Sequence, residues 1–169
     1  MAKILRINTK DKNYSFEEPG EELKLMGGRN LTSRLVLNEV PPTCHALGKD
    51  NKLIFAPGLL SGTSAANSGR LSVGAKSPLT GGIKESNTGG LVSQKLARMG
   101  IQALVLENKP ELDAEWSLLI VRKDSVEILP ADKYVGMGNA EIITSLRETY
   151  GDKSGIAAIG PAGEQRLTS

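Results

Sequence analysis

The order of its segments predicts an α+β fold for this chain. Strand-like and helical patterns follow one another irregularly: a strand, a helix, several strands, a helix, a β-hairpin, a helix and a final strand. A doubly wound parallel sheet would require a regular alternation of strand and helix instead. The 169 residues are enough for one compact domain with a hydrophobic core.

The first quarter of the chain contains one strand pattern and one helix pattern. Residues 3–9 alternate apolar and polar side chains, which predicts a strand. Residues 12–20 are acidic and rich in turn formers, so we predict a turn there. An apolar stripe over residues 20–39 predicts a helix. Gly27-Gly28 can interrupt this helix, and Pro41-Pro42 ends it.

Short apolar runs separated by small polar residues occupy the middle of the chain. The prediction in chain order is a buried strand at 53–58, a loop at 59–69, a strand at 70–77, a turn at 78–82, an amphipathic helix at 89–100 and a strand at 103–107. Gly100 is a suitable residue for the carboxyl end of that helix.

The last third begins with a hairpin pattern. We predict paired strands at 116–123 and 126–130 around Asp124-Ser125. Residues 139–151 form an amphipathic helix in this prediction, with Asn139 as its amino-terminal cap. Residues 155–163 are predicted to be a buried strand that runs into a glycine-rich turn.

Composition excludes several classes of function. The formal net charge is +2, with basic and acidic residues interspersed, and only 4% of residues are aromatic, so a nucleic-acid partner is not expected. No apolar run reaches membrane-spanning length, and we expect a cytoplasmic protein without a membrane partner. A single cysteine, Cys44, excludes an internal disulfide and a cysteine-ligated iron–sulfur cluster within these residues.

Two segments have the chemistry of an anion site. Ser86-Asn87-Thr88-Gly89-Gly90 leads into a predicted helix, whose free N–H groups attract anions. The alternative is that Asn87 or Thr88 only caps the helix. Arg70 follows a loop of small residues and could bind a phosphate with two N–H groups, or form a surface ion pair. Lys76 and Arg29 could add positive charge, or be solvated.

Several longer segments, taken together, resemble the first domain of the aldehyde ferredoxin oxidoreductases, a family of tungsten–pterin enzymes. The segments are GGRNL (27–31), EVPPT (39–43), DNKLIFAPGLLSGTSA (50–65), SGTSAANSGR (61–70), KSPLTGG (76–82), SNTGGLVSQKLARMGIQALVLE (86–107) and IAAIGPAGEQ (156–165). Their order and spacing match over essentially the whole chain. Asn30 and Ala66 depart from the family pattern, which usually has glycine and proline there.

The resemblance implies two β-sheets with packed helices that form a pterin-binding saddle. It implies a bis-pterin cofactor of tungsten or molybdenum, and a magnesium ion that joins the two pterin phosphates. A [4Fe–4S] cluster outside this chain would pass electrons to ferredoxin. The family reaction oxidises an aldehyde to a carboxylic acid, with water as the oxygen source.

The same resemblance assigns the cofactor-binding residues. Arg70 corresponds to an arginine that lies against the pterins and the cluster. Asn87 corresponds to the residue whose main-chain carbonyl binds the magnesium. Gly89 corresponds to a glycine that lines the pterin, and Gly90 is added as its neighbour. No catalytic residue is expected within these 169 residues.

The match therefore predicts that residues 1–169 are an amino-terminal pterin-binding domain, truncated before the cluster and channel domains and inactive alone. Its partners would be those remaining domains or a companion subunit, together with ferredoxin, and the piece could form a homo-oligomer. The alternative is a non-catalytic binding module, or a split subunit, that keeps the fold but has lost the cofactor.

Overall fold

The computed structural model describes residues 2–167 and combines two β-sheets with four α-helices over that range. The strands are β1 (Lys3–Asn8), β2 (Asn13–Glu17), β3 (Leu53–Pro57), β4 (Leu71–Lys76), β5 (Ile83–Thr88), β6 (Ile101–Glu107), β7 (Ser117–Val121) and β8 (Val126–Pro130). The helices are α1 (Gly28–Glu39), α2 (Leu91–Arg98), α3 (Asn139–Tyr150) and α4 (Gly160–Glu164). Short 3-10 turns span Glu21–Leu23 and Asp132–Tyr134.

The larger sheet has six strands in the order β2-β1-β6-β3-β4-β5. Only the β1–β6 pair is parallel among the described strands, and every other neighbouring pair is antiparallel. β7 and β8 form a separate antiparallel hairpin. This mixed topology confirms the predicted α+β class, with two sheets and packed helices.

Helix α1 covers one face of the six-stranded sheet. Strand side chains alternate between faces, so residues two apart share a side. On this side Ile4, Ile54 and Val105 are fully buried against Leu31 and Leu35 of α1. Burying a side chain of this size contributes roughly 1.5–3 kcal/mol, and the stripe therefore fixes α1 along the sheet.

The opposite face is covered by α2 and by the hairpin. Leu5 and Ile7 of β1 pack there with Leu96 of α2 and Val126 of β8. Helix α3 lies beyond the hairpin, in a smaller cluster built from Tyr134, Ile142, Leu146 and the half-buried Leu118. The two sheets and the helices therefore form successive layers.

The two ends of α1 approach the sheet in different ways. At its start the backbone is very close to the loop after β3, since a Cβ added to Gly27 would lie 2.6 Å from the main-chain nitrogen of Leu59. One turn further, a Cβ on Gly74 of β4 would lie 2.5 Å from Cβ of Thr32. These glycines allow α1 to lie directly on β4.

An ion-pair network fixes the other end of α1. Arg6 donates from both Nη atoms to the two carboxylate oxygens of Glu39, at 2.8 Å each. Lys52 bridges Glu39 and Glu107 at 2.7 and 2.6 Å. Burial alone would raise the pKa of the Glu39 carboxyl, but hydrogen bonds from Arg6 and Lys52 outweigh burial and hold that pKa below its ordinary value.

Two strands were not predicted, because both lie at sheet edges. Residues 13–17, predicted as a turn, form β2 and pair with β1. Residues 83–88 form β5, which is polar along most of its length. An edge strand with solvent near both faces lacks the apolar alternation that identifies a strand in sequence.

Three other predictions were wrong in detail. The helix predicted over 20–39 begins only at Gly28, after a separate 3-10 turn. Residues 155–159 form no strand. The short helix α4 begins instead at Gly160, which has a positive φ, and Pro161 lies in its first turn. The cap of α3 is Gly138 and not Asn139, with the Gly138 N–H donating to Glu141 at 2.9 Å.

Candidate functional site

Most of the residues singled out as anion ligands meet at one corner of the six-stranded sheet. Arg70 directly precedes β4, and Asn87 is the second-last residue of β5. The strands pair antiparallel with Ser72 opposite Asn87. Gly89 and Gly90 connect β5 to α2. The sheet register thus brings together segments that are 17 residues apart in the chain.

Arg70 is held by one edge of its guanidinium. Its Nε donates to Oδ1 of Asn87 at 2.6 Å, while Nδ2 of Asn87 donates to the Ser72 hydroxyl at 3.2 Å. The two Nη nitrogens of Arg70 have no hydrogen-bond partner within residues 2–167, and the side chain is exposed. Because a guanidinium carries five N–H donors, this leaves the outer edge free for a ligand.

Buried serines fix the backbone of Arg70. Its carbonyl accepts a hydrogen bond from the Gly58 N–H at 2.8 Å. The hydroxyl oxygens of Ser93 and Ser61 lie 2.9 and 3.2 Å from that carbonyl oxygen and 2.8 Å from each other, so their two protons are shared among these contacts. The sequence around Ser61 does not predict this role, because it has the small polar composition of an ordinary loop.

The two glycines leave the surface beside Arg70 flat. A Cβ on Gly89 would lie 3.6 Å from Nη1 of Arg70 and would cover the free edge of its guanidinium. Gly90 has φ +104°, which is unfavourable for residues with a side chain, and a Cβ there would point into open space. A planar ligand can therefore approach the backbone here.

Gly90 is also the N-cap of α2, and it provides no side-chain hydrogen bond to the helix. The alternative that Asn87 or Thr88 caps this helix is therefore wrong, because both residues lie in β5. The first N–H groups of α2 have no side-chain cap.

The main-chain groups of Asn87 lie on the free edge of the sheet. Gly58 directly follows β3 and donates its N–H to the Arg70 carbonyl. The backbone groups of the even-numbered residues of β4 therefore face β3. In an antiparallel ladder the direction alternates along the strand. Odd-numbered β4 residues therefore bond to β5, through Thr88, Ser86 and Lys84. The carbonyl of Asn87 consequently points away from β4.

Glu85 links this surface to the start of α1. Nε and Nη2 of Arg29 both lie 3.2 Å from Oε2 of Glu85, and Nδ2 of Asn87 lies 3.4 Å from Oε1. A hydrogen bond from the Ser72 hydroxyl and the positive charge of Arg29 hold the pKa of Glu85 below its ordinary value. Glu85 was not among the predicted site residues, although its spacing of two from Asn87 places both on one face once β5 is known to be a strand.

Lys76 does not contribute to this corner. It is the last residue of β4, at the end of the strand away from Arg70, and its ammonium donates to the main-chain carbonyls of Pro42 and Cys44. The suggestion that it adds charge to the anion site is therefore wrong. The Cys44-His45 dipeptide lies in a loop, and Nδ1 of His45 accepts a hydrogen bond from the Leu47 N–H.

Comparison with known proteins identifies the family of the chain. Residues 4–169 match the model of the aldehyde ferredoxin oxidoreductase N-terminal domain. The chain belongs to this family. Tungsten-containing aldehyde ferredoxin oxidoreductases of Thermococcus kodakarensis and Pyrococcus furiosus are each 39% identical to it over 166 residues.

The match covers 96% of this chain but only 27% of each of those two relatives. The chain thus spans about a quarter of the length of the oxidoreductases that it matches. Aldehyde ferredoxin oxidoreductases carry the region described here at their amino end, and most of each relative lies outside the match.

More distant similarity reaches other oxidoreductases. The WOR-like subunit of an aliphatic sulfonate oxidoreductase from Pyrococcus furiosus is 27% identical over 155 residues. The solved active-site complex BamBC of benzoyl-coenzyme A reductase, bound to 1,5-dienoyl-CoA, superimposes with a TM-score of 0.90 at 28% identity. It covers 98% of this chain and 25% of that one. Within residues 2–167, no helix is long and apolar enough to cross a membrane.

Proposed function

We propose that this chain is the cofactor-binding part of an oxidoreductase that oxidises aldehydes to carboxylic acids and passes the electrons to ferredoxin. The observation that carries the proposal is the Arg70–Asn87 pair. Its free guanidinium edge faces a glycine surface, in a chain 39% identical to tungsten-containing aldehyde ferredoxin oxidoreductases. Alone, the chain would bind and position the cofactor without catalysing the reaction.

The residues present fit a tungstopterin. The phosphate of a pterin cofactor is anionic, and the free Nη groups of Arg70 are suited to hold phosphate oxygens or the polar edge of the pterin ring. Gly89 and Gly90 would let the flat ring approach the backbone, because neither places a side chain in front of Arg70. Asn87 would keep the guanidinium oriented before the cofactor binds.

The same fit extends to a magnesium ion. Mg²⁺ prefers oxygen ligands and is commonly bound through a few protein oxygens together with phosphate oxygens. The carbonyl of Asn87, at the free edge of β5, is an oxygen of this kind. We propose that this carbonyl would be one of the ligands of a magnesium ion.

When bound, the metal would supply the oxygen-atom and electron chemistry, and the protein would supply binding and orientation. Arg70, Asn87, Gly89 and Gly90 would therefore act through cofactor affinity and placement. A [4Fe–4S] cluster, the substrate channel and the contact with ferredoxin would come from residues beyond this chain or from a companion subunit.

The degree of similarity favours an aldehyde over a coenzyme A thioester as substrate. Identity is 39% to the aldehyde oxidoreductases, compared with 28% to the benzoyl-coenzyme A reductase complex and 27% to the sulfonate oxidoreductase subunit. All three similarities span most of this chain, so the difference does not arise from partial coverage.

The test is metal and pterin analysis of the longest natural form of the protein, purified without oxygen. We expect tungsten or molybdenum together with pterin, and Arg70→Ala should lower both by about tenfold. Arg122→Ala, which removes an exposed arginine from the distant hairpin, is the matched control and should keep full content. A folded protein without metal and pterin would instead support a non-catalytic module, and unchanged content in Arg70→Ala would remove Arg70 from the site.

A further inference from the structure

Arg29, like Arg70, is held along one edge of its guanidinium. Its Nε donates to Oε2 of Glu85 at 3.2 Å, and Nη2 lies 3.2 Å from the same carboxylate oxygen as part of the ion pair. The remaining N–H groups have no partner within residues 2–167, and the side chain is 75% exposed. The guanidinium is therefore anchored on one edge and open on the other, as in Arg70.

The anchors of the two arginines are joined to each other. Glu85 receives Arg29 on Oε2 and Asn87 on Oε1, and Asn87 receives Arg70 on Oδ1. The Glu85 side chain is only 11% exposed and is in direct contact with Arg29 and Asn87. Ser72 belongs to the same hydrogen-bond network, because its hydroxyl accepts a hydrogen bond from Nδ2 of Asn87.

This arrangement has a direct chemical consequence. The two guanidinium groups lie at the two ends of one hydrogen-bond network, and each has a free outer edge. Such a pair suits a ligand with more than one anionic oxygen. Phosphate and pyrophosphate groups have this chemistry. A solitary surface arginine would lose side-chain entropy on binding such a group, whereas an arginine held by Glu85 has already lost much of it.

We propose that Arg29 is a second phosphate-binding residue of this surface and that Glu85 is its positioning residue. The proposal rests on the proposed function, since the phosphate would belong to the same cofactor that Arg70 contacts. It extends the site from β4 and β5 to the first turn of α1.

The direction of one effect separates positioning from simple charge. Glu85→Gln removes a negative charge near an anion site. If Glu85 acts only through its charge, it repels the anion in the native chain, and the substitution should tighten binding. If Glu85 positions Arg29, the same substitution weakens binding, because the guanidinium loses its anchor. We expect the positioning effect to dominate, because Glu85 accepts the hydrogen bond that holds Arg29 among the described residues.

The experiment is a double-mutant cycle with inorganic pyrophosphate as the probe. Binding to this chain is measured by ¹H–¹⁵N NMR titration. We expect the dissociation constant to rise about tenfold in Arg29→Ala and about threefold in Glu85→Gln. In the Arg29→Ala background, Glu85→Gln should no longer weaken binding. Arg122→Ala and Glu127→Gln, a paired arginine and glutamate on the distant hairpin, provide a matched control cycle that should change binding less than twofold.

The outcomes distinguish this inference from the proposed function. Weaker binding in Arg70→Ala with unchanged binding in Arg29→Ala would overturn the role of Arg29 alone. Tighter binding in Glu85→Gln would overturn the positioning role. Unchanged binding in both arginine variants would remove the anion site altogether. In the longest natural form of the protein, Arg29→Ala should also lower pterin content, and full retention would count against the assignment.

Discussion

Asn87 holds Arg70 through a 2.6 Å hydrogen bond from Nε to Oδ1, across two neighbouring antiparallel strands. Because Nε is the inner donor of the guanidinium, the bond determines which edge of Arg70 faces outward. The same amide donates to Ser72, so its own orientation is fixed as well. The Asn87 side chain therefore acts on Arg70, while its main chain stays available for a different ligand.

This relationship predicts a specific effect of Asn87→Ala. The main-chain carbonyl remains, but Arg70 loses its anchor, so pterin content in the longest natural form should fall about threefold to fivefold. The free energy of unfolding should change by less than about 1 kcal/mol, because the bond is on the surface. Cofactor analysis and denaturant unfolding check the two parts.

Asn38→Ala is a suitable control for that variant, since Asn38 also makes one exposed side-chain bond, to Glu22. It should leave pterin content unchanged. Equal losses in the two variants would show that the effect of Asn87 is not specific to the site.

The close contact between α1 and β4 predicts that Gly74→Ala destabilises the fold. The added Cβ would lie 2.5 Å from Cβ and 2.8 Å from Oγ1 of Thr32, so α1 must shift. We expect a loss of about 1–3 kcal/mol in the free energy of unfolding, measured by urea titration. Gly20→Ala, where a Cβ has no neighbour within 4 Å, should change it by less than about 0.5 kcal/mol.

The ion pairs of Glu39 predict a stability that falls in acid. Its pKa is lower in the folded chain than its ordinary value of 4.5, so the folded state favours the ionised carboxylate. The resulting stabilisation is fully present above the unfolded pKa and is lost as the pH falls through the folded pKa. Between about pH 5 and pH 3, the free energy of unfolding should therefore decrease.

Glu39→Gln isolates this contribution. Near pH 7 the variant should be less stable by about 1–2 kcal/mol, a modest value because the network is partly exposed. The difference from the native chain should shrink as the pH falls, which urea unfolding at several pH values measures. Glu148→Gln, an exposed carboxylate on α3, should show no such convergence. A constant difference at all pH values would contradict the assignment.

Lys76 is predicted to stabilise a loop and to have no role in anion binding. Lys76→Met would leave the carbonyls of Pro42 and Cys44 without their donor, at a cost of about 1–3 kcal/mol. Amide hydrogen exchange should accelerate around residues 42–48, and pyrophosphate affinity should stay within about twofold of the native value. A large loss of affinity would return Lys76 to the site.

Lys109→Met is the control for this effect. Lys109 also donates to a carbonyl of the same loop, that of Leu47, but from an exposed position. We expect a change of less than about 0.5 kcal/mol, since water can replace an exposed donor.

The sequence alone determined most of the elements and the family. The apolar periods of β1, α1, α2, β6 and α3 are local and strong, because each of these elements buries one stripe or face in a core. The hairpin was predicted from two apolar runs around a short turn. Arg70, Asn87 and Gly89 followed from resemblance over many segments, and Arg70 and Asn87 do lie in contact.

Only the tertiary structure decided how these pieces combine. β2 and β5 are edge strands, and their strand character comes from pairing with β1 and β4, not from a local apolar pattern. Arg29 meets Glu85 across 56 residues of sequence, because Gly74 lets α1 lie against β4. The ammonium group of Lys76 has the charge to bind an anion, but it donates to two loop carbonyls instead. Local patterns specify which faces are buried, whereas strand register and close backbone approach determine which polar groups meet.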